Sequence, residues 1–554
     1  MDEARPDRRT SAQRWLSERW LELVLGLAGL ALVWAHRWLL DDAFIYFRYV
    51  DNWVLLGRGL VYNPGEFVEG YSSQLWPLVL ALPRTLELSY WTIVAAWGLL
   101  IAALFYVLAA QVNDALGASE HRDEGPRLNL PLAILALSYG PATYFTGGLE
   151  TPLVQLAAPI VALFVLRPER AWLGYVLALL PIVRPELSFA VALAILAVRF
   201  QTGRWPWAAI VMVACVGFAA LGLRIWYYAD LVPNTYYVKD TFAWGRGFAY
   251  LRDALRGDKL HVLLPGLGLL GLWLSRKRGP EPRLRVHARL WLGAIAALSA
   301  LYAVRIGGDM VQYRYLAFPI CLAVLAFGGW AERARARLLA DHPGPARFAP
   351  AGVLVLAASL FAIPPHYLSG HPLAAETERV ENEYGVSEAH FHRKLRAMTY
   401  DKPRAKQEAE QISHYEAFAA IPAAKRRIFA QRSCVRGYAT LDAVIVNSYG
   451  LTEPMLAHMN APENRVGHRN LSLPAEDIQN LRRRLRPFGK GSYRAAVEQE
   501  MAPAWVIDNL DAIEAIEARV YNDHDFVANL KLALERPPTI VLTERERAFE
   551  SGWH

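Results

Sequence analysis

Before residue 366 the chain carries about twelve apolar stretches, centred near residues 30, 80, 100, 137, 159, 177, 193, 215, 268, 296, 323 and 356, each separated from the next by a short polar loop. Runs this long and this frequent exceed what a water-soluble core needs, and lipid is the natural solvent for them. The first run, roughly Leu21 to Leu40, follows a basic stretch with Arg5, Arg8, Arg9 and Arg14 and has no small-residue cleavage site after it, so it reads as a retained helix rather than a removed leader. The 554 residues carry a formal charge of +7, but the basic side chains collect in short loops between apolar runs rather than in one patch. That distribution orients a membrane protein and argues against nucleic acid as a partner. Three cysteines, two of them inside apolar runs, give neither a disulfide framework nor a zinc motif.

Basic loops set the expected orientation. Arg276 to Arg289 and the later Arg333, Arg335 and Arg337 belong on the cytoplasmic side, as does the N-terminus. Alternation then places residues 226–260, 305–315 and everything after about residue 364 outside. The two ends require an odd number of crossings, so eleven are expected, and the short run near residue 80 is the first candidate for a segment that does not cross. The expected fold is mostly α: a polytopic bundle over residues 1–364 and an external α/β unit over 365–554. Helical stretches at Glu376–Tyr400 and Lys406–Ala419 and short β-like runs at Ala443–Val446 and Thr539–Leu542 are expected in that unit.

Ionisable groups at the mouths of membrane helices are costly to desolvate and carry functional hypotheses. Asp41 and Asp42 follow the first helix in LLDDAFIYFRYVDN. Paired acids suit deprotonation of a sugar hydroxyl or coordination of a divalent cation, while the plainer reading makes Asp42 the N-cap of a helix lying on the membrane. In GLVYNPGEFVEGYSSQLW, Glu66, Glu69 and Tyr71 are equipped to line a sugar site, or to form an interfacial turn. Glu150 in GGLETP and Arg184 with Glu186 in IVRPEL stand at helix breaks, where Arg184 either pairs with a phosphate or closes an ion pair with one of those acids. LVPNTYYVKD supplies Asn234, Tyr236, Tyr237 and Lys239, the lysine being a phosphate ligand or a simple anchor. RIGGDMVQYRYLAFP surrounds Gly307 and Gly308 with Arg305, Asp309 and Arg314, a clamp for a phosphodiester or a tight turn with a salt bridge. All of these motifs fall on one expected membrane face, which points to a pocket opening outward.

The strings DDAFIYFRYVDN, GLVYNPGEFVEGYSS, GGLETP, VRPE, PNTYYVK and GGDMVQYRYLAFP, followed by DAVIVNSYGLTEPMLAHM and RVGHRNLSLP, resemble in order and spacing the AftB and ZomB-like arabinofuranosyltransferases, membrane glycosyltransferases of the GT-C type. The resemblance covers most of the chain. It implies transfer of a pentofuranose, typically D-arabinofuranose, from a polyprenyl-phosphate donor of the decaprenyl-phosphoryl arabinose kind to a cell-envelope glycan, on the outer face of a bacterial plasma membrane. It further implies Asp41 or Asp42 as the acid near the acceptor hydroxyl, and Arg184, Lys239, Arg305 and Arg314 on the donor phosphate. Glu66, Glu69, Tyr71, Glu150, Asn234, Tyr237 and Asp309 remain as sugar or acceptor contacts. Rival readings are a mannose-type hexosyl donor within the same class and, from another class, a transporter, against which the sequence shows no inverted repeat.

Overall fold

A computed structural model describes residues 11–116, 129–257, 283–328 and 428–543, apart from residues 38, 41, 240–241, 310–312, 432–433, 435–437, 439–440, 442, 461–462, 466–467, 470 and 486. The expected spans near residues 268 and 356, the basic loop before residue 283, the boundary near residue 365 and the helices expected at 376–400 and 406–419 lie outside the described residues.

The helices of the first part are α1 (Ser11–Ala35), α2 (Ala43–Val54), α3 (Leu75–Arg84), α4 (Tyr90–Ala115), α5 (Leu130–Leu137), α6 (Tyr139–Tyr144), α7 (Thr151–Leu166), α8 (Ala171–Leu177), α9 (Leu180–Val183), α10 (Leu187–Thr202), α11 (Trp207–Tyr228), α12 (Asn234–Lys239), α13 (Trp244–Gly257), α14 (Arg283–Arg305) and α15 (Arg314–Gly328). Among the described residues, α4, α11 and the Arg285–Arg305 part of α14 are long and apolar enough to cross a membrane. At 1.5 Å per residue α3 is only about 15 Å long, half the hydrocarbon thickness, so it does not cross alone.

Local sequence sets the boundaries. Ser89 accepts a hydrogen bond from Thr92 N–H at the start of α4, and Asn129 does the same for Leu132 N–H at α5. Prolines occupy the first turns of α5, α7 and α9, where no backbone donor is needed. α4 packs on α7 and on α1, and α1 packs on α5, forming the centre of the bundle. α11, by contrast, leaves almost its whole length exposed, with Phe218, Leu223 and Trp226 outward, as a lipid-facing helix should.

α2 departs from the expectation of a surface helix lying on the membrane. Ten consecutive residues, Ala43 to Asn52, are buried, so the helix is enclosed by protein on every side. The enclosure has identifiable parts. Arg48 donates to Tyr62 O at 2.7 Å and to Ala443 O, and Asn52 donates to Val61 O and Tyr62 O. Asp51 accepts from Arg84, Tyr90 and Tyr438. Gly148, at φ +82°, lets the 147–150 turn approach α2 where a Cβ would meet Ala43.

The C-terminal residues form β1 (Ile428–Gln431) paired in parallel with β2 (Val444–Asn447), α16 (Pro454–Ala457), the antiparallel pair β3 (Glu463–Arg465) and β4 (His468–Arg469), then α17 (Ser472–Arg484), α18 (Ser492–Glu498), α19 (Ala504–Asp508), α20 (Leu510–Val520) and α21 (Phe526–Leu534). Of the two β-like runs of the sequence, β2 overlaps the first, while the second contributes an isolated bridge from Ile540 to Met459 and no strand. Two hydrophobic cores result. The larger joins the membrane helices to Cys434, Ala443, Ile445, Leu451 and Ala457, while the smaller gathers α16 to α20 around Trp505 and reaches back to Val68. The C-terminal residues are therefore seated on the helical bundle through the 57–73 loop and not tethered beside it.

Candidate active site

Seven separate segments converge on one polar chamber. Its walls include Asp42 just before α2 with Ile45 and Tyr46 from α2, Gly70 to Ser72 from the following loop, Leu149 and Glu150 from the turn before α7, Arg184 at the end of α9, Thr235 and Lys239 from α12, Arg314 and Tyr315 opening α15, and Leu451 from the C-terminal part. Of the sequence-expected residues it brings together Asp42, Tyr71, Glu150, Arg184, Lys239 and Arg314. Asp41 lies outside the described residues.

The charges are arranged as two carboxylate–arginine–carboxylate groups. Arg314 pairs with Asp309 and, at 3.4 Å, with Asp42. Arg184 lies 3.5 Å from Glu150 and 2.6 Å from Glu186, yet its Nε–H has no aligned acceptor. Both guanidinium groups stand over the Tyr315 ring, at 4.4 Å for Arg184 and 5.7 Å for Arg314. Asp42 makes no side-chain cap bond to α2, so the capping role open to it in the sequence is not taken up. Tyr46, which the sequence reading did not single out, donates to Glu150 Oε2 at 3.1 Å and accepts from Ser73 N–H at 3.1 Å. A signal for it existed: it stands four residues after Asp42, one helical turn along the same face.

Beside the chamber lies an apolar cavity of about 350 Å³ lined by Val154, Leu187, Phe189, Leu298, Leu301 and Phe318, among others. Arg184, Arg314 and Tyr315 are common to both, so the two arginines form the polar end of a greasy space. Arg305 also lines the apolar cavity, 4.0 Å above the Phe242 ring. Among the described residues neither Arg305 nor Lys239 is held by a carboxylate. Two paired arginines between the chamber and the apolar cavity, with Lys239 on the chamber wall and Arg305 on the cavity wall, suit an amphiphile with an anionic head.

The other expected contacts point elsewhere. Glu66 pairs with Arg482 and accepts from Tyr521 at 3.4 Å, inside the C-terminal contact. Glu69 receives both arms of Arg224, at 2.5 and 3.2 Å, and burial still holds its carboxyl above the ordinary range. Asn234 donates to Gly450 O and Leu451 O, fixing the loop that closes the chamber. Tyr237 donates to Asp230 at 2.7 Å. Asp309 holds Arg314 from the side away from Asp42. Among the described residues no three or more His, Cys, Asp or Glu donors cluster as for a metal ion; Asp41, the acid adjacent to Asp42, lies outside them.

Comparison with known proteins finds no matching family model and no matching solved structure. Two curated proteins are similar: a terminal beta-(1->2)-arabinofuranosyltransferase of Corynebacterium glutamicum, 28% identical over 347 residues, which are 55% of this chain and 49% of that protein, and the terminal beta-(1->2)-arabinofuranosyltransferase of Mycobacterium tuberculosis, 28% identical over 350 residues, 56% and 54% respectively. The chain spans about half the length of the curated relatives it matches.

Proposed function

We propose that this chain, a relative of the terminal arabinofuranosyltransferases, is a membrane glycosyltransferase that moves a pentofuranose, D-arabinofuranose by preference, from a polyprenyl-phosphate donor to a hydroxyl of a cell-envelope glycan. The observation that carries the reading is the shared wall of Arg184, Arg314 and Tyr315 between an apolar cavity and a polar chamber. A prenyl tail suits the apolar lining of the first, a sugar the polar lining of the second, and the phosphate the arginines between them.

In this reading the acceptor hydroxyl gives its proton to the Asp42 carboxylate as its oxygen bonds to the anomeric carbon, and the bond from that carbon to the phosphate oxygen breaks with its electron pair. Charge on the departing phosphate grows toward −2, so cations fixed at that point stabilise the transition state more than the bound donor. Arg314, already paired to Asp42, couples the two ends of the reaction. Glu150, held by Tyr46, and Tyr71, whose hydroxyl is paired to Tyr228 at 2.8 Å, shape the sugar pocket. At about 40 Å³ the chamber has room for little more than water, so a furanose enters it with displacement of the Leu451 loop.

The wider arrangement belongs to the same proposal: eleven crossings, the N-terminus in the cytoplasm, and the chamber and the C-terminal α/β unit, from about residue 365, on the outer face of a bacterial plasma membrane. The positive loops support that orientation. Purified protein incubated with radiolabelled polyprenyl-phosphate arabinose and a synthetic arabinan should yield labelled product. Transfer from a mannose donor alone would overturn the sugar assignment, and transfer from neither would overturn the enzyme.

A further inference from the structure

We infer that α21 is a membrane-seated helix: the C-terminal part of the chain rests on the lipid surface through Phe526, Val527 and Leu534. The inference does not depend on the proposed reaction or on which side of the membrane the helix lies.

Two independent observations meet at this helix. The first is its position. α11 has 22 residues, about 33 Å at 1.5 Å per residue, which matches the hydrocarbon thickness, so its last turn lies at the membrane interface. The C-terminal part docks on that turn. Asn529 of α21 donates to Trp226 O at 2.8 Å, Asn522 donates to Tyr227 O at 3.3 Å, and the His524 ring stacks on Tyr227 with centroids 5.1 Å apart. Terminal carbonyls of a spanning helix need partners where the helix leaves the lipid, and here they find them on the segment leading into α21. The first turn of α21 is therefore fixed at the level where Trp226 emerges.

The second is the surface that α21 presents. Asn529 and Ala533 face inward, while Phe526, Val527 and Leu534 are 45%, 75% and 69% exposed. They continue the outward apolar surface of α11, where Leu223 is 63% and Trp226 42% exposed. Lys531 stands between Val527 and Leu534 on the exposed face, with a stem long enough to lie along apolar surface while its ammonium reaches phosphate headgroups. An exposed apolar face interrupted by one cation and joined edge to edge to a lipid-facing helix fits the headgroup and upper acyl region of a bilayer.

The test uses the full chain in lipid nanodiscs with the exposed native thiol removed by Cys215→Ser; Cys321 and Cys434 are buried. Nitroxide labels are placed singly at Val527→Cys and Leu534→Cys. Phe218→Cys on α11 serves as lipid reference and Glu498→Cys as water reference, and collision rates are read with oxygen and with a water-soluble nickel chelate. These side chains are exposed, so the substitutions remove no packing. Labels at 527 and 534 should give an oxygen-to-nickel ratio several-fold above that at 498 and approaching that at 218. A ratio equal to that at 498 overturns the inference, because the helix then stands in water. Protection from both reagents overturns it too, because the face is then covered by protein.

Discussion

Three times among the described residues a buried arginine is held between two carboxylates: Arg184 by Glu150 and Glu186, Arg314 by Asp42 and Asp309, and Arg482 by Glu66 and Glu453. The first two line the candidate chamber, and the third lies in the contact between the 57–73 loop and the C-terminal part. Pairing and burial do not tell them apart, since all three guanidinium groups are nearly inaccessible. Their surroundings do. Arg184 and Arg314 border an apolar cavity and stand near Lys239 and Arg305, cations that no carboxylate holds among the described residues, whereas Arg482 is packed among Phe488, Tyr493 and Tyr521 and carries an excess of acid. A buried ion triplet is thus as much a way of fastening two parts of a protein as a way of doing chemistry. Empty space and uncommitted charge beside it mark the second use.

The sharpest way to break this distinction is to neutralise one carboxylate in each setting. Asp42→Asn should lower transfer by about 10²–10⁴-fold, the usual worth of a general base, with an unchanged melting temperature. Glu66→Gln should leave the rate per folded molecule near that of the unaltered chain. Equal losses in a radiolabel transfer assay would show that the two clusters act as one site.

Arg482→Met probes the fastening. Removing the partner leaves Glu66 and Glu453 buried and uncompensated, which costs about 3–5 kcal/mol in unfolding experiments. The loss should appear as a lower melting temperature and greater proteolysis of the C-terminal part, at an unchanged KM for donor. An altered donor KM at full folding would place Arg482 in the binding site.

A pH series separates the clusters by a smaller effect. Burial pushes both Glu453 and Glu517 up to about 7 from an ordinary value of 4.5; for Glu453, Arg482 pulls down and Glu66 pushes further up. Between about pH 4.5 and 7 the folded state keeps protons that the unfolded chain has released. Stability of the C-terminal part therefore falls as pH rises across that window and levels off above it. The double substitution Glu453→Gln with Glu517→Gln should flatten the slope. A melting temperature that rises with pH over the same interval would contradict the assignment.

The smallest expected change comes from the uncommitted cations. Lys239→Met and Arg305→Met should each raise donor KM about tenfold, roughly 1.4 kcal/mol, without affecting the melting temperature. A lower melting temperature with unchanged KM would make them membrane anchors.

What the sequence disclosed follows from the same contrast. Asp42, Glu150, Arg184, Lys239 and Arg314 were legible because each interrupts an apolar run, where a charged group needs a reason to be. Glu66, Glu69, Asn234 and Tyr237 give the same signal and turn to other partners, because direction within an irregular loop is set by contacts and not by a repeat. Arg482 was beyond reach: its partner Glu66 is 416 positions away, in a polar segment where an arginine needs no explanation. The long apolar helices were equally plain, since lipid imposes length and hydropathy on them directly. The burial of α2 was not, because a helix with a polar side reads the same whether that side meets water or, as here, Arg48, Asp51 and Asn52 meet backbone carbonyls, tyrosines and Arg84 supplied by the following loop, the neighbouring helices and the C-terminal part.

The carbonyls that end α11 carry an implication for biogenesis. Trp226 O is satisfied by Asn529, 303 positions later in the chain. At 5–20 residues per second a ribosome needs about 15–60 s to make that interval. Throughout this time the helix end must find its hydrogen bonds in water, so it has to emerge at a wet surface and wait there. Insertion of the bundle and closure of its rim are consequently separate events in the life of each molecule, and a chain released early would be threaded through the bilayer yet remain unfinished at its edge.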